Sequence, residues 1–322
     1  MCDITNNIPL VSVIIPNYNH ARYLDERIQS VLKQTYQNFE LIILDDCSPD
    51  NGASKAVIEK YRDNPHVSHI VYNETNSGST FIQWHRGFEL SKGQLIWIAE
   101  SDDSCDASFL EKVLHGFEHP DTVFSFCKSC KYDINGIKAD FDRQSPLDHS
   151  FCMPGKEFIT KYLINDNLVA NASSVVFNKE AAISLDRQYC NMKAAGDWLF
   201  LIQLSEKGNV CFTNEELNYY RKYGTSTSDR LWLNGTTDAE RLIIFDYLME
   251  SMKIPMIKRI IKKNKQIASI QHNQFFSKEV KRKLLSDWDR YYFYRMLYPF
   301  YELLTLTHIV IGIKKLCGVS EQ

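Results

Sequence analysis

Three carboxylates, Glu100, Asp102 and Asp103, fall within four residues directly behind the apolar run Ile96-Trp97-Ile98-Ala99. Lys92-Gly93 ahead of that run reads as a helix stop, so the run reads as a buried strand and the acids as its emergence at a sheet edge. In open parallel sheets the ligand crevice lies outside the carboxyl ends of the strands. Adjacent carboxylates there repel one another unless a cation lies between them. Hard oxygen donors on a partly open site suit Mg2+ or Mn2+ carrying a substrate's phosphates. Asp102 and Asp103 could equally cap a helix beginning near Asp106, and these residues alone leave both readings open.

The elements that would position the acids are legible upstream. Val11–Ile15 is a continuous apolar strand followed by the turn-formers Pro16-Asn17-Tyr18-Asn19. Arg22–Gln34 places Leu24, Ile28, Val31 and Leu32 on one helical face. Leu41–Leu44 is a second strand ending in Asp45-Asp46, with a helix through Tyr61. Val67–Tyr72 is a third strand, and after the loop Asn73–Ser79 a helix runs to Leu90. Strands alternating with helices in this way predict βαβ units and a parallel sheet. No glycine-rich loop follows the first strand, so neither a dinucleotide fingerprint nor a P-loop applies. Phosphates would have to be neutralised through a cation on the acids.

Composition narrows the class. With 322 residues, 44% hydrophobic and 24% charged, the chain is an ordinary globular protein with room for a large α/β domain and an appendage. The net charge of −3 divides unevenly: residues 251–322 carry 14 Lys/Arg against 5 Asp/Glu, or +9, and the remainder carries −12. An acidic body argues against nucleic-acid binding, while the basic tail allows contact with anionic lipid. Nine scattered cysteines without framework spacing, and no signal-peptide pattern, fit a reducing cytoplasm. Cys127 and Cys130 form a CxxC, but no second pair or neighbouring His completes a zinc site.

The run Val11-Ser12-Val13-Ile14-Ile15-Pro16-Asn17-Tyr18-Asn19, then Ser30–Thr35, then Glu40–Asp46 with Ser48, resembles the opening of the family 2 inverting glycosyltransferases of the GT-A fold, of the bacterial polysaccharide and O-antigen type. Glu100-Ser101-Asp102-Asp103 resembles that family's metal-binding DxD-type motif. The resemblance implies a Rossmann-like, mostly parallel sheet. It implies a UDP- or dTDP-sugar donor, with Pro16 and Tyr18 lining the nucleotide pocket and Asp46 accepting the pyrimidine N3–H, an acceptor role that suits uracil or thymine. Asp45 would contact the nucleoside or cap the turn. Asp102 would face the ribose or sugar, Asp103 would bind Mn2+ or Mg2+, and Asn76 and Gly78 match the loop after the third strand. The Arg-Asn pair common in the next helix is replaced by Trp84-His85, which puts donor-sugar contacts on that helix in doubt.

Further along, Ala194-Ala195-Gly196-Asp197-Trp198 opens a helix to Lys207 and resembles the family's acidic motif beside the acceptor. Here the usual Glu-Asp is Gly-Asp, leaving Asp197 as general base, or alternatively as a helix N-cap. Asn218–Ser228 resembles the Tyr-Arg-x-His segment that closes over the diphosphate: Arg221 matches as a phosphate clamp, and Tyr223 stands where a His often sits. Residues 131–155 are polar and read as a surface or acceptor loop.

A catalytic domain over 1–230, with a nucleotide half to about 105 and an acceptor half beyond it, is then expected, followed by helices over 231–322. Segments near 238–252, 255–267, 277–296 and 299–315 are helical. Ile257, Ile260 and Ile261 alternate with Lys258, Arg259, Lys262 and Lys263 as an amphipathic basic helix. Charges interrupt Phe293–Ile313, so it should not span a bilayer. Packing on a twin subunit, or peripheral contact at the inner face of the cytoplasmic membrane, is expected of this region. The acceptor would be a glycan or lipid-linked oligosaccharide. The rival readings are a nucleotidyltransferase, which usually carries a glycine-rich loop after its first strand, and a non-catalytic sugar- or membrane-binding scaffold retaining the fold.

Overall fold

The computed structural model describes residues 9–133, 138–139, 146–222 and 227–288. The chain divides into two compact units, 1–226 and 227–322. The first unit begins β1 (Val11–Asn17), α1 (Ala21–Leu32), β2 (Phe39–Asp45), α2 (Ala53–Glu59), β3 (Val67–Tyr72), α3 (Thr80–Leu90), β4 (Leu95–Ile98). It continues β5 (Ser104–Cys105), α4 (Phe109–Leu114), β6 (Thr122–Tyr132), β7 (Lys138–Ala139), β8 (Phe151–Pro154), α5 (Gly155–Phe158), β9 (Val175–Asn178), α6 (Lys179–Ile183), α7 (Gly196–Ser205) and β10 (Asn209–Arg221). The second unit contains α8 (Thr227–Leu233), α9 (Thr236–Ser251), α10 (Met256–His272) and α11 (Lys278–Trp288).

One mixed sheet runs in the order β3-β2-β1-β4-β9-β6-β10-β5, with β7 on β6 and β8 on β10. Strands β3, β2, β1 and β4 are mutually parallel. Every residue of β1, β2 and β4 is buried, which is why these strands read as unbroken apolar runs rather than alternating ones. The order reverses at β1: the chain builds outward through β2 and β3, then returns to place β4 on the other side. Such a reversal is where the crossovers part and leave a crevice at the carboxyl ends of the two central strands. What emerges there is Asn17-Tyr18 from β1 and Glu100–Asp103 from β4.

Beyond β4 the sheet becomes mixed. Strand β9 pairs antiparallel with both β4 and β6, while β6 and β10 are parallel. Trp97 fixes the junction: it stacks on Phe109 at 4.5 Å, and its Nε1 donates to the Ser173 carbonyl at 2.9 Å. Cys152 and Cys211 are register partners across β8 and β10 and form a disulfide. This differs from the unpaired cysteines expected of the sequence, because a strand returning antiparallel from 59 residues away leaves no spacing signal. Residues 134–137 and 140–145 of the polar stretch lie outside the described residues, as do Tyr223 to Ser226 and the segments expected beyond 288.

In the second unit, α10 departs from the alternation expected of it. Ile260, Lys263, Asn264, Ile267 and Ile270 are buried, while Ile261 and Met256 are exposed at 42% and 63%. Helical periodicity explains this: 260, 263, 264 and 267 recur at i, i+3, i+4 and i+7 and share one face, which carries Lys263 inside and turns Ile261 out. Within the same unit, Gln266 Nε2 donates to Asp238 Oδ1 at 2.6 Å, and Trp288 Nε1 to the Asp238 carbonyl at 3.1 Å. No helix among the described residues is long and apolar enough to cross a membrane.

Candidate active site

The site starts from the ends of β1 and β2. Asn17 lies in register with Asp45 and donates from Nδ2 to Asp45 Oδ1 at 2.7 Å. Asp45 also accepts from Ser48 N at 3.1 Å and Ser48 Oγ at 2.6 Å. Of the two roles open to Asp45, the geometry shows the turn cap. Pro16 is buried inside β1 opposite Leu44. Tyr18, two residues on, stands 46% exposed.

Asp46 is buried, and its carboxylate is saturated from within the chain. Its Oδ1 accepts from Asn73 Nδ2 at 2.6 Å, Ser77 N at 2.9 Å and Gln83 Nε2 at 2.9 Å. Its Oδ2 accepts from Asn76 Nδ2 at 3.0 Å and Ser77 Oγ at 2.7 Å. Five donor groups meet a carboxylate that offers about four lone-pair sites. A pyrimidine N3–H would meet Asp46 by sharing or displacing one of them. These bonds tie the loop 73–79 to α3. Asn76 shapes the same loop by accepting from Gly78 N at 2.8 Å, where φ is +79°, a conformation glycine adopts without strain.

The acidic segment is built differently. Ala99 N still donates to the Ile14 carbonyl, and Glu100 N to Ser173 Oγ at 3.1 Å, so the chain leaves the sheet in a fixed direction. Glu100 accepts from Trp84 Nε1 at 2.9 Å; burial, then the neighbouring Asp102 charge, pushes its carboxyl up to about 8. Asp103 is 1% exposed. Asn171 Nδ2 donates to its Oδ2, and Arg221 N to its Oδ1 at 3.1 Å. Burial first, and Asp102 second, raise Asp103 to about 7. Asp102 is the more open acid, with its side chain 21% exposed and Oδ1 4.0 Å from His20 Nδ1. Neither acid caps the following helix: Asp106 does the local work, accepting from Ser108 N at 2.8 Å and Ser108 Oγ at 2.6 Å.

This donor set fits a divalent cation of the hard type. With the Ser173 hydroxyl as a third donor, Asp103 keeps about one of its four lone-pair sites, and its raised carboxyl marks a place short of positive charge. Among the described residues no three His, Cys, Asp or Glu side chains converge into a closed cage. A site of the Mg2+ type needs only one or two carboxylates, with substrate phosphates completing the shell.

Arg221 sits beside the acids, but its guanidinium faces inward. Nε donates to the Asp102 carbonyl at 3.0 Å, Nη2 pairs with Glu26 Oε2 at 2.8 Å, and the group lies 4.7 Å over the Tyr23 ring. These contacts make Arg221 a brace between the acidic segment and α1.

Asp197 is the second residue of α7, behind the N-cap Ala195, so it is not the N-cap. Its Oδ2 accepts from Asn167 Nδ2 at 3.0 Å and its Oδ1 from Trp198 N at 2.8 Å. Gly196 stands where the family's Glu is usual because there is no room for more: a Cβ would lie 2.6 Å from the Phe81 ring. Helix α7 reaches the crevice through aromatic packing, with Phe200 5.8 Å from Trp84, which in turn bonds Glu100.

Several of these partners were not singled out by sequence. Gln83 looks like an ordinary α3 residue, and Asn167 and Asn171 lie in an unpatterned stretch. Arg27 did leave a signal. It falls at i+3 from Leu24 and i−4 from Val31, a charge inside an apolar stripe, and it is fully buried.

The family model described as glycosyl transferase family 2 matches residues 12–181. A putative teichuronic acid biosynthesis glycosyltransferase, TuaG of Bacillus subtilis, is 30% identical over 229 residues, covering 71% of this chain and 85% of that protein. The Staphylococcus aureus poly(ribitol-phosphate) β-N-acetylglucosaminyltransferase TarP is 37% identical over 105 residues, covering 32% of this chain and 31% of its own. Among solved structures, S. aureus TarS residues 1–349 in complex with UDP-GlcNAc superposes with a TM-score of 0.53 at 18% identity, covering 86% of this chain and 71% of that one. The mannosyltransferase PcManGT of Pyrobaculum calidifontis, in complex with GDP-Man and Mn2+, gives 0.56 at 13% identity, covering 97% and 88%. At these identities the structures speak for the fold.

Proposed function

Because the chain belongs to glycosyl transferase family 2 and is a glycosyltransferase of GT-A fold, we propose that it moves one sugar from a UDP- or dTDP-sugar to a hydroxyl of a growing cell-surface glycan, with inversion at the anomeric carbon. The observation that carries this reading is the acidic segment Glu100–Asp103 standing at the sheet's point of reversal with carboxylate lone pairs still open. UDP is favoured because TarS, which shares the fold, is known in complex with UDP-GlcNAc. A glycan of the cell envelope is favoured because TuaG and TarP are named for teichuronic acid and poly(ribitol-phosphate) chemistry.

Asp102 and Asp103 would hold the divalent cation, which supplies charge stabilisation for the departing diphosphate. The chain's own residues do the rest. Asn171 and the Arg221 N–H fix Asp103, while the Arg221 side chain fastens the Asp102 carbonyl to α1. Asp46 holds the loop 73–79 in place along the nucleotide side. Asp197 takes the acceptor's hydroxyl proton as the acceptor oxygen bonds to the anomeric carbon and the bond to the diphosphate breaks with its electron pair.

Asp197→Asn tests the reading. Asn retains the oxygen that accepts from Trp198 N but cannot take a proton, so turnover should fall about 10²–10⁴-fold with melting temperature and UDP affinity nearly unchanged. A near wild-type rate of sugar transfer would return Asp197 to a structural role at the head of α7.

A further inference from the structure

Arg27 lies on the inner face of α1 at 0% exposure, directly behind the acidic segment. A guanidinium stays charged inside a protein, and burying it unpaired costs several kcal/mol. Its Nε donates to the Glu100 carbonyl at 3.0 Å, and its plane lies 5.1 Å from the Trp97 ring. Neither Nη1 nor Nη2 finds a hydrogen-bond partner among the described residues. A cation so poorly paired is a poor choice for filling space. An apolar side chain would pack on Trp97 without that desolvation cost.

What the position offers instead is charge. The Arg27 guanidinium is fixed against the acidic segment by its bond to the Glu100 carbonyl, and it brings a positive charge that does not titrate away. It also grips the backbone at the residue where the chain leaves β4. The geometry points to Arg27 as a positioning residue, a fixed internal cation that sets the course of Glu100–Asp103 and offsets part of its negative charge before any ligand arrives. This deepens the proposed function and rests on it for the identity of the ligand. The positioning of the segment does not depend on that reading.

Arg27→Met separates charge from packing, and Arg27→Lys keeps the charge while changing the shape. In the ligand-free protein, amide hydrogen exchange over residues 99–104 should quicken at least ~10-fold in R27M, a local loosening. Mn2+-dependent UDP affinity should also fall ~10-fold, about 1.4 kcal/mol. Both should stay within about threefold of wild type in R27K. Should R27M fail to fold, Arg27→Gln, which keeps a donor without the charge, takes its place with the same expectation. Unchanged exchange in the neutral variants, or equal losses in R27K and R27M, would overturn the inference. A wild-type chain that binds no nucleoside diphosphate would sink the proposed ligand, and the exchange result would still decide the role of Arg27.

Discussion

Asp46 and Asp103 emerge from β2 and β4, the two strands that flank β1, and both are buried. What separates them is what their oxygens receive. Five donors from Asn73, Asn76, Ser77 and Gln83 crowd Asp46. Asp103 receives fewer, from Asn171, the Arg221 backbone and the Ser173 hydroxyl, and faces the charge of Asp102. A carboxylate filled from within its own chain is an anchor. One left short of donors and positive charge can take a ligand. The residue type is the same, so lone-pair occupancy tells the two roles apart.

Substituting each acid should therefore break different things. Asp103→Asn should lower sugar transfer the most, about 10³-fold if the acid carries the charge-stabilising ion, while the melting temperature holds or rises because a repelled buried charge is removed. A variant with full activity would put Asp103 among the anchors. Asp46→Ala should act mainly on folding: with several buried donors left unpaired, it should cost about 2–4 kcal/mol and weaken UDP and CDP binding alike. A selective loss of UDP over CDP, with an unchanged melting temperature, would restore base reading to Asp46.

The third contrast is with pH and is smaller. Asp103 at about 7 and Glu100 at about 8 lie above the usual carboxylate range, so between about pH 4 and 8 the folded state binds more protons than the unfolded one. In chelator, stability should then fall as pH rises through that window, by at most about 1.4 kcal/mol per pH unit for each group. Asp103→Asn should flatten the slope and Asp46→Asn should not. A wild-type melting temperature that rises with pH from 5 to 8 in chelator would contradict the assignment.

The parallel half of the fold was legible in the sequence because strands covered on both faces announce themselves as apolar runs, and β1, α1, β2, β3, α3 and β4 follow one another at βαβ spacing. The acidic segment was legible because it ends such a run. The Asp46 network was not, since it is assembled from a loop and a helix that come together only when α3 packs over β1 and β2. The inward turn of Arg221 was hidden for a related reason: Glu26, Tyr23 and the Asp102 carbonyl converge on it from 195 residues away in the case of Glu26. Strand β10 lies between β6 and β5, and the two-residue β5 is too short to show in the sequence as a strand. Arg27 was visible as a charge in an apolar stripe, and only burial distinguishes that from a side chain reaching out to solvent.

The central claim is that the crevice at the reversal between β1 and β4 binds a nucleoside diphosphate through a divalent cation held by the acidic segment. Calorimetric titration of UDP into the wild-type chain, with Mn2+ and then with excess chelator, measures this most directly when repeated on Asp103→Asn. Tight binding in Mn2+ that weakens at least ~10-fold, about 1.4 kcal/mol, in chelator, together with an Asp103→Asn variant that binds weakly under both conditions, is the predicted result. UDP binding of equal strength in Mn2+, in chelator and in the variant would contradict it.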